Sequence, residues 1–281
     1  MQLLNGKVLS DIVKDELKTI VTNMKKCGQI VRLAVVQVGN DKASSIYINN
    51  KKKACEYIGI DSVVYNLHDD VKQHDLIDLI EYLNKDESVN GILVQLPIPK
   101  HLNEKEILSK IHPSKDVDGF HEHNVGNLVL GNNGIVSCTP SGIMKMLQYY
   151  NIDIAGKECV VVGRSNIVGK PMAMLLLRND GTVTMCHSKT NNLKDICKRA
   201  DILVCAIGKP KFFNRDYIKD GAVVIDVGIH RQDGKLCGDV DFDDVKDIVS
   251  AITPVPNGVG SMTVAMLMDN CVKVAKNQYA R

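Results

Sequence analysis

The stretch CVVVGRSNIVGKP, residues 159–171, decides the fold. It opens on a short apolar run, 159–162, of a length that suits a buried strand. Gly163 follows, then the polar turn Arg164–Ser165–Asn166, then Gly169 and an apolar periodic segment through Leu177. A buried strand that turns on glycine into a helix presents backbone N–H groups to phosphate. A Walker-type loop is excluded, because one residue too many separates Gly163 from Gly169 and Pro171 stands where the hydroxyl should be. The common dinucleotide fingerprint G-x-G-x-x-G is incomplete too, since its middle glycine is missing. Taken alone, the stretch favours a nucleotide-binding turn over an ordinary strand–turn–helix of an α/β domain.

Outward from this stretch, strand and helix alternate in both directions. Downstream, apolar runs predict strands over 182–187, 202–206, 222–226 and 251–252, with helices over 168–178 and 193–199. The rigid turn PVPNGVG, 254–260, precedes a closing helix over 262–275. Upstream, helices are expected over 10–27, 43–58, 71–84 and 102–111, and strands over 31–38, 62–67 and 91–96. Ser10 can cap the first helix and Gly28 can end it. Pro97 and Pro99 stop the third strand. Residues 116–133, rich in Gly, Asn, Asp and His without sustained period, read as a connecting segment. Thr139–Pro140 reads as an N-cap with proline at the first helical position, the helix running to about Tyr150. Apolar strands alternating with helices predict a mostly parallel sheet covered on both faces. The fold class is α/β, with two α/β lobes around a cleft. The first lobe takes residues 1–138 and is completed by the C-terminal helix, 262–281. The second takes residues 139–261 and holds the glycine turn, which makes it the candidate Rossmann-like, dinucleotide-binding lobe.

A chain of 281 residues with 44% hydrophobic and 24% charged residues has the composition of an ordinary globular protein. Its net charge of +2 makes no electrostatic case for nucleic acid or an anionic membrane as partner. The nine cysteines are dispersed, with no C-x-x-C pair and no zinc spacing, and read as free buried thiols in a reducing compartment. The N-terminus lacks the apolar core of a signal peptide, and no apolar run reaches membrane-spanning length. A cytoplasmic location is expected.

Four groups of residues could carry chemistry. Tyr47 and Lys51 in ASSIYINNKKKAC stand four apart, on one helix face one turn apart. A lysine with its ordinary pKa near about 10.4 must have it lowered to serve as a base near neutrality, and a phenol beside it can order it. The competing reading is a solvated basic helix end. Gln95 interrupts the apolar strand GILVQLPIP near its carboxyl end, where ligands collect in open α/β sheets. It could equally be a core amide satisfied by backbone. In DVDGF, 116–120, two carboxylates can reach into a cleft or form a turn; no further acidic ligands cluster there to hold a metal. Finally, TVTMCHSK ends on His187, Ser188 and Lys189, where an NAD site usually offers an acid to the ribose. Hydroxyl and basic groups, with the Arg164 fork, favour the 2′-phosphate of NADP.

Together these motifs resemble a known family. ASSIYINNKKKAC, GILVQLPIP, KDVDGF, SCTPSG, VVGRSNIVGKP, CHSKT and ITPVPNGVGSMTVAML occur in this order, from about Val38 to Leu267. They resemble the bifunctional methylenetetrahydrofolate dehydrogenase/cyclohydrolase family of one-carbon metabolism. One departure is PVPNGVGSMT, where the family reads PVPGGVGPMT. Asn257 tolerates a left-handed backbone, and Ser261 can cap the last helix. Arg164 is found in some members only.

The resemblance implies folate on the first lobe, NADP on the second and a homodimer formed through the second. It implies catalytic roles for Lys51, Tyr47 and Gln95, and substrate binding by Tyr47 and Asp118, the latter on the pterin ring. It implies cofactor contacts from Gly163, Arg164, Ser165, Ser188 and Ile229, and no metal. The implied activity is NADP-dependent oxidation of 5,10-methylenetetrahydrofolate, then hydrolysis of the methenyl product to 10-formyltetrahydrofolate, feeding purine biosynthesis. A monofunctional dehydrogenase and a non-catalytic NADP-binding protein are the alternatives. The run of lysines at 51–53 is a candidate for attracting a polyglutamate tail.

Overall fold

Apolar runs of four to seven residues build two parallel sheets. The computed structural model describes residues 1–232 and 234–280, apart from the side chains at 42–44 and 46. In chain order the elements are β1 (Gln2–Leu3), α1 (Gly6–Lys26), β2 (Arg32–Val38), α2 (Lys42–Ile58), β3 (Asp61–Leu67), α3 (Gln73–Lys85), β4 (Gly91–Val94), α4 (Glu104–Ser109), α5 (Glu122–Leu130), α6 (Cys138–Tyr149), β5 (Glu158–Val162), α7 (Gly169–Arg178), β6 (Thr182–Cys186), α8 (Leu193–Cys197), β7 (Ile202–Cys205), β8 (Val223–Asp226), β9 (His230–Gln232), β10 (Lys235–Cys237), α9 (Phe242–Val245), β11 (Ala251–Ile252) and α10 (Val259–Tyr279).

The chain divides into two units. One comprises Asp11–Val136 and the C-terminal residues from Val264. Its sheet has the order β3–β2–β4, all parallel, with Val36 opposite Tyr65 and Val94. Strand β4 is buried along its whole length because helices cover both faces of such a sheet. A parallel bridge between Ile92 and Asp116 lays the DVDG segment beside β4. Helix α10 packs back on this unit, as expected. The buried amide of Asn270 donates to the carbonyls of Val117 and Val136 at 2.9 and 3.0 Å, and Tyr279 Oη donates to Ile30 O at 2.8 Å.

The other unit comprises Met1–Ser10 and Ser137–Thr263. Its six parallel strands run β1–β11–β8–β7–β5–β6. Strand β6 lies on one side of β5 and β7 on the other, so the chain reverses direction across the sheet at β5. The first ten residues belong here, and not with the three-stranded sheet as a lobe of 1–138 would have it. The reason is edge pairing: Gln2 N–H donates to Ser250 O at 2.6 Å, Leu4 N–H to Ile252 O at 2.8 Å, and Leu4 is fully buried.

Local corrections follow from hydrogen bonds. Helix α1 starts at Gly6 because Asn5 Oδ1 accepts from the N–H groups of Lys7 and Val8 at 3.0 and 3.2 Å; Ser10 is buried inside the helix. The segment 116–133 holds a helix, α5, that its composition concealed. His121 Nδ1 caps its start by accepting from His123 N–H at 3.1 Å, and Gly131 ends it at φ 77°. Helix α6 starts before Thr139, with Ser137 at the N-cap position. Ser261 lies within α10, and Asn257 takes the left-handed conformation at φ 74°. The antiparallel hairpin β9–β10 carries no strong apolar pattern and was not predicted. Among the described residues no helix is long and apolar enough to cross a membrane.

Replacing Asn270 by Ala removes a buried donor shared by the carbonyls of Val117 and Val136. An unsatisfied buried group costs about 1–3 kcal/mol, so the melting temperature should fall by at least about 3 °C in a thermal scan.

Candidate active site

Helix α2 buries the face bearing Ile48, Ala54, Cys55 and Ile58. Lys51 falls on the same face, three residues after Ile48 and four before Cys55, so its stem is drawn inward. Its Nζ donates to Gln95 Oε1 at 2.9 Å. Gln95 lies one residue past the end of β4, which stops at Val94 and not at residue 96 as the sequence predicts. Its own amide NH2 donates to Leu96 O at 2.6 Å, which fixes the amide plane and leaves the oxygen for Lys51. Tyr47 stands one turn before Lys51 and is 44% exposed.

The two acids of the DVDG segment have different duties. Asp116 is buried and accepts the N–H groups of Gly119 and His121 at 3.0 and 2.8 Å and Asn124 Nδ2 at 2.9 Å. It builds the turn. Asp118 makes the second acid available. Burial pushes its pKa up to about 6; Lys51 pulls it down and Asp116 pushes it up further. The ammonium of Lys51 is near enough to Asp118 to favour its charged form. Lys51, Gln95 and Asp118 therefore come together at the carboxyl edge of one sheet.

The second constellation lies at the carboxyl ends of β5, β6 and β7, where the strand order reverses and ligands gather in such sheets. A cavity of about 250 Å³ is lined there by Gly163, Arg164, Ser188, Ile207 and Lys209, among others. Gly163 has φ 134°, and a Cβ on it would lie 2.2 Å from Ala206 O; a Cβ on Gly169 would lie 2.2 Å from Gly163 O. Only glycine lets these backbones approach. The Ser165 hydroxyl accepts the N–H groups of Val168 and Gly169 at 3.1 and 3.2 Å, so it shapes the turn into α7. Ile229 is not among the residues lining this cavity and stands beside Gly260. The described lining carries two cations and a serine hydroxyl and no carboxylate, which fits a dinucleotide with a 2′-phosphate. Lys209, Ile207 and Phe212 were missed from sequence, because no motif marks the loop after β7. Behind the cavity wall, burial raises the Cys186 thiol, pushes Cys197 up to about 12 and raises Cys205 well above its ordinary value. These are packing residues, not nucleophiles.

The raised pKa of Asp118 has a stability consequence. A carboxyl that binds its proton more tightly when folded contributes stability below its unfolded pKa, lost as pH rises through about 6. Asp118→Asn should therefore melt higher than the parent at pH 8, by about 2–5 °C, with the gap closing toward pH 4. A gap of the opposite sign at pH 8 would contradict the assignment.

Two family models cover the chain: tetrahydrofolate dehydrogenase/cyclohydrolase, catalytic domain, over residues 4–118, and its NAD(P)-binding domain over residues 137–279. The bifunctional protein FolD of Agathobacter rectalis is 60% identical over 275 residues, covering 98% of this chain and 99% of that protein. The crystal structure of the bifunctional enzyme FolD, methylenetetrahydrofolate dehydrogenase/cyclohydrolase, from Campylobacter jejuni superposes with a TM-score of 0.97 at 50% identity, covering 99% of each chain. The Trypanosoma brucei N5,N10-methylenetetrahydrofolate dehydrogenase-cyclohydrolase, complexed with NADP cofactor and inhibitor, gives 0.94 at 36% identity, covering 99% of this chain and 98% of its own. With both family domains present in order and relatives matched end to end, this chain belongs to the tetrahydrofolate dehydrogenase/cyclohydrolase family.

Proposed function

We infer that this enzyme oxidises 5,10-methylenetetrahydrofolate to the 5,10-methenyl form with NADP, then hydrolyses that product to 10-formyltetrahydrofolate. The observation that carries the second step is the 2.9 Å bond from Lys51 to Gln95 in the neighbourhood of Asp118. A dehydrogenase alone needs no oriented amine.

NADP, when bound, supplies the hydride acceptor. The protein's part in that step is alignment. Asp118 accepts N–H bonds from the pterin ring. Arg164 and Ser188 hold the 2′-phosphate, the fork of Arg164 offering paired donors. Gly163 admits the dinucleotide backbone to the turn, Ser165 holds that turn into the start of α7, and Ile229 packs on the nicotinamide side.

The methenyl product is a cation with an electrophilic carbon. Lys51 takes a proton from the water that attacks this carbon, and Gln95 aims Nζ. Tyr47 lies against the substrate and orders the approach of water. Ring opening breaks the bond from that carbon to N5 and returns a proton to the nitrogen. The family likeness also supports a homodimer formed through the six-stranded unit, a cytoplasmic location, a supply of formyl groups to purine biosynthesis, and polyglutamylated substrates met by the lysines at 51–53. Division of labour between the units follows: folate on the one carrying Lys51, NADP on the one carrying Gly163.

Lys51→Met should fold as the parent does by circular dichroism and lose at least about 100-fold in hydrolysis of the methenyl compound, read by decay of its absorbance. Hydrolysis at the parent rate would remove Lys51 from the reaction. Arg164→Ala should raise KM for NADP about 10-fold or more while KM for NAD changes little, in paired steady-state assays. Equal effects on the two cofactors would sink the 2′-phosphate assignment.

A further inference from the structure

Two buried carboxylates in the six-stranded unit take no part in the chemistry above. Asp226 ends β8 and accepts the N–H groups of Gly228, Asp239 and Val240 at 3.0, 2.8 and 2.9 Å. These bonds tie the backbone of 239–240 to that of Gly228. The second acid, Asp239, is fully buried and turns to a different loop. Its Oδ2 accepts Ile207 N–H at 2.7 Å and Gly208 N–H at 3.0 Å; its Oδ1 accepts Lys209 N–H at 2.9 Å and lies 2.8 Å from His230 Nε2. The space is kept by glycine. A Cβ on Gly238 would lie 1.9 Å from Asp226 Oδ2, and one on Gly228 2.3 Å from Asp239 Oδ1.

The loop so held is a wall of the nucleotide cavity, since Ile207 and Lys209 line it with Arg164 and Ser188. Three successive N–H groups folded round one anion form a rigid nest. All three are taken by Asp239, so none is left to bind phosphate. What the loop can offer a ligand is the exposed ammonium of Lys209.

We propose that Asp239 is a positioning residue for NADP: by tying the backbone of 207–209 it presents Lys209 as a second cation for the 2′-phosphate, beside the contribution of Arg164. This rests on the reading above that the cavity takes NADP. Asp239 touches neither cofactor nor substrate and acts through the loop. Without the tie, the loop's N–H groups seek water, and the lysine loses its fixed origin.

The test is a double-mutant cycle on the full chain, with dissociation constants for NADP and NAD measured by calorimetry. Lys209→Ala should weaken NADP about 5-fold or more, with NAD affinity and melting temperature unchanged. Asp239→Asn puts an NH2 group where N–H donors converge, and should weaken NADP about 10-fold. In that background Lys209→Ala should cost less than twofold further, because the lysine is already misplaced. Equal losses in both backgrounds, or unchanged NADP affinity in either single variant, would overturn the proposal. If Asp239→Asn does not fold, His230→Gln takes its place in the cycle. It removes one partner of Asp239 Oδ1 and leaves the loop bonds, so NADP affinity should fall less than for Lys209→Ala; a larger fall would contradict the loop as the route. The parent is measured alongside. A parent that binds no NADP refutes the functional reading itself, whereas a parent that binds with unaffected variants refutes only the role of Asp239.

Discussion

Parallel strands buried on both faces leave one kind of place for polar chemistry, their carboxyl ends. Strands β4 and β7 are buried at every position, and β5 at all but its first. A charged or amide side chain within them would lose water without a partner, at a cost of several kcal/mol. The groups proposed for the site accordingly stand past the strands: Gln95 after β4, Gly163 and Arg164 after β5, Ser188 after β6, Lys209 after β7. Each unit obeys this constraint separately, and each thereby gathers a small set of polar groups on one rigid edge.

Rigidity at these edges comes from carboxylates that accept several backbone N–H groups at once. Asp116 shapes the turn that ends in Asp118. Asp226 and Asp239 do the same for the loops beside the nucleotide cavity, in two layers. Burial, aided by the neighbouring Asp239 charge, outweighs the three N–H donors and leaves Asp226 pushed up to about 7. Such groups cost desolvation and return order, which a site for small, oriented substrates needs.

Much of this was legible in the residues. The strands were, because a parallel strand buried on both faces is written as a bare apolar run. The glycine turn was, because a glycine between a bare apolar run and a polar turn marks a bend, and the fold shows its need: a Cβ on Gly163 would lie 2.2 Å from Ala206 O. Gln95 could be singled out as a polar interruption and Lys51 by its spacing from Tyr47, but their pairing required the sheet that puts α2 beside the end of β4. Other features are tertiary and left no local mark. Nothing near Gln2 announces that it pairs with Ala251. Asp239 looks like any turn aspartate until its four partners are seen. Helix α5 was hidden because its caps, His121 and Gly131, flank a stretch of Gly and Asn that reads as loop. In DVDG the local pattern allowed a turn or a site, and the fold commits Asp116 to the turn.

The central claim is that one chain performs both an oxidation and a hydrolysis at the same carbon, the second through an amine aimed by Gln95. The most direct measurement mixes the unmodified protein with 5,10-methylenetetrahydrofolate and NADP and follows NADPH and methenyl absorbance together while 10-formyltetrahydrofolate is quantified by chromatography. The account predicts that NADPH and the formyl product rise in equal amounts while methenyl absorbance stays low or passes through a brief maximum. Methenyl compound accumulating one-for-one with NADPH, and decaying only at its rate in protein-free buffer, would contradict it.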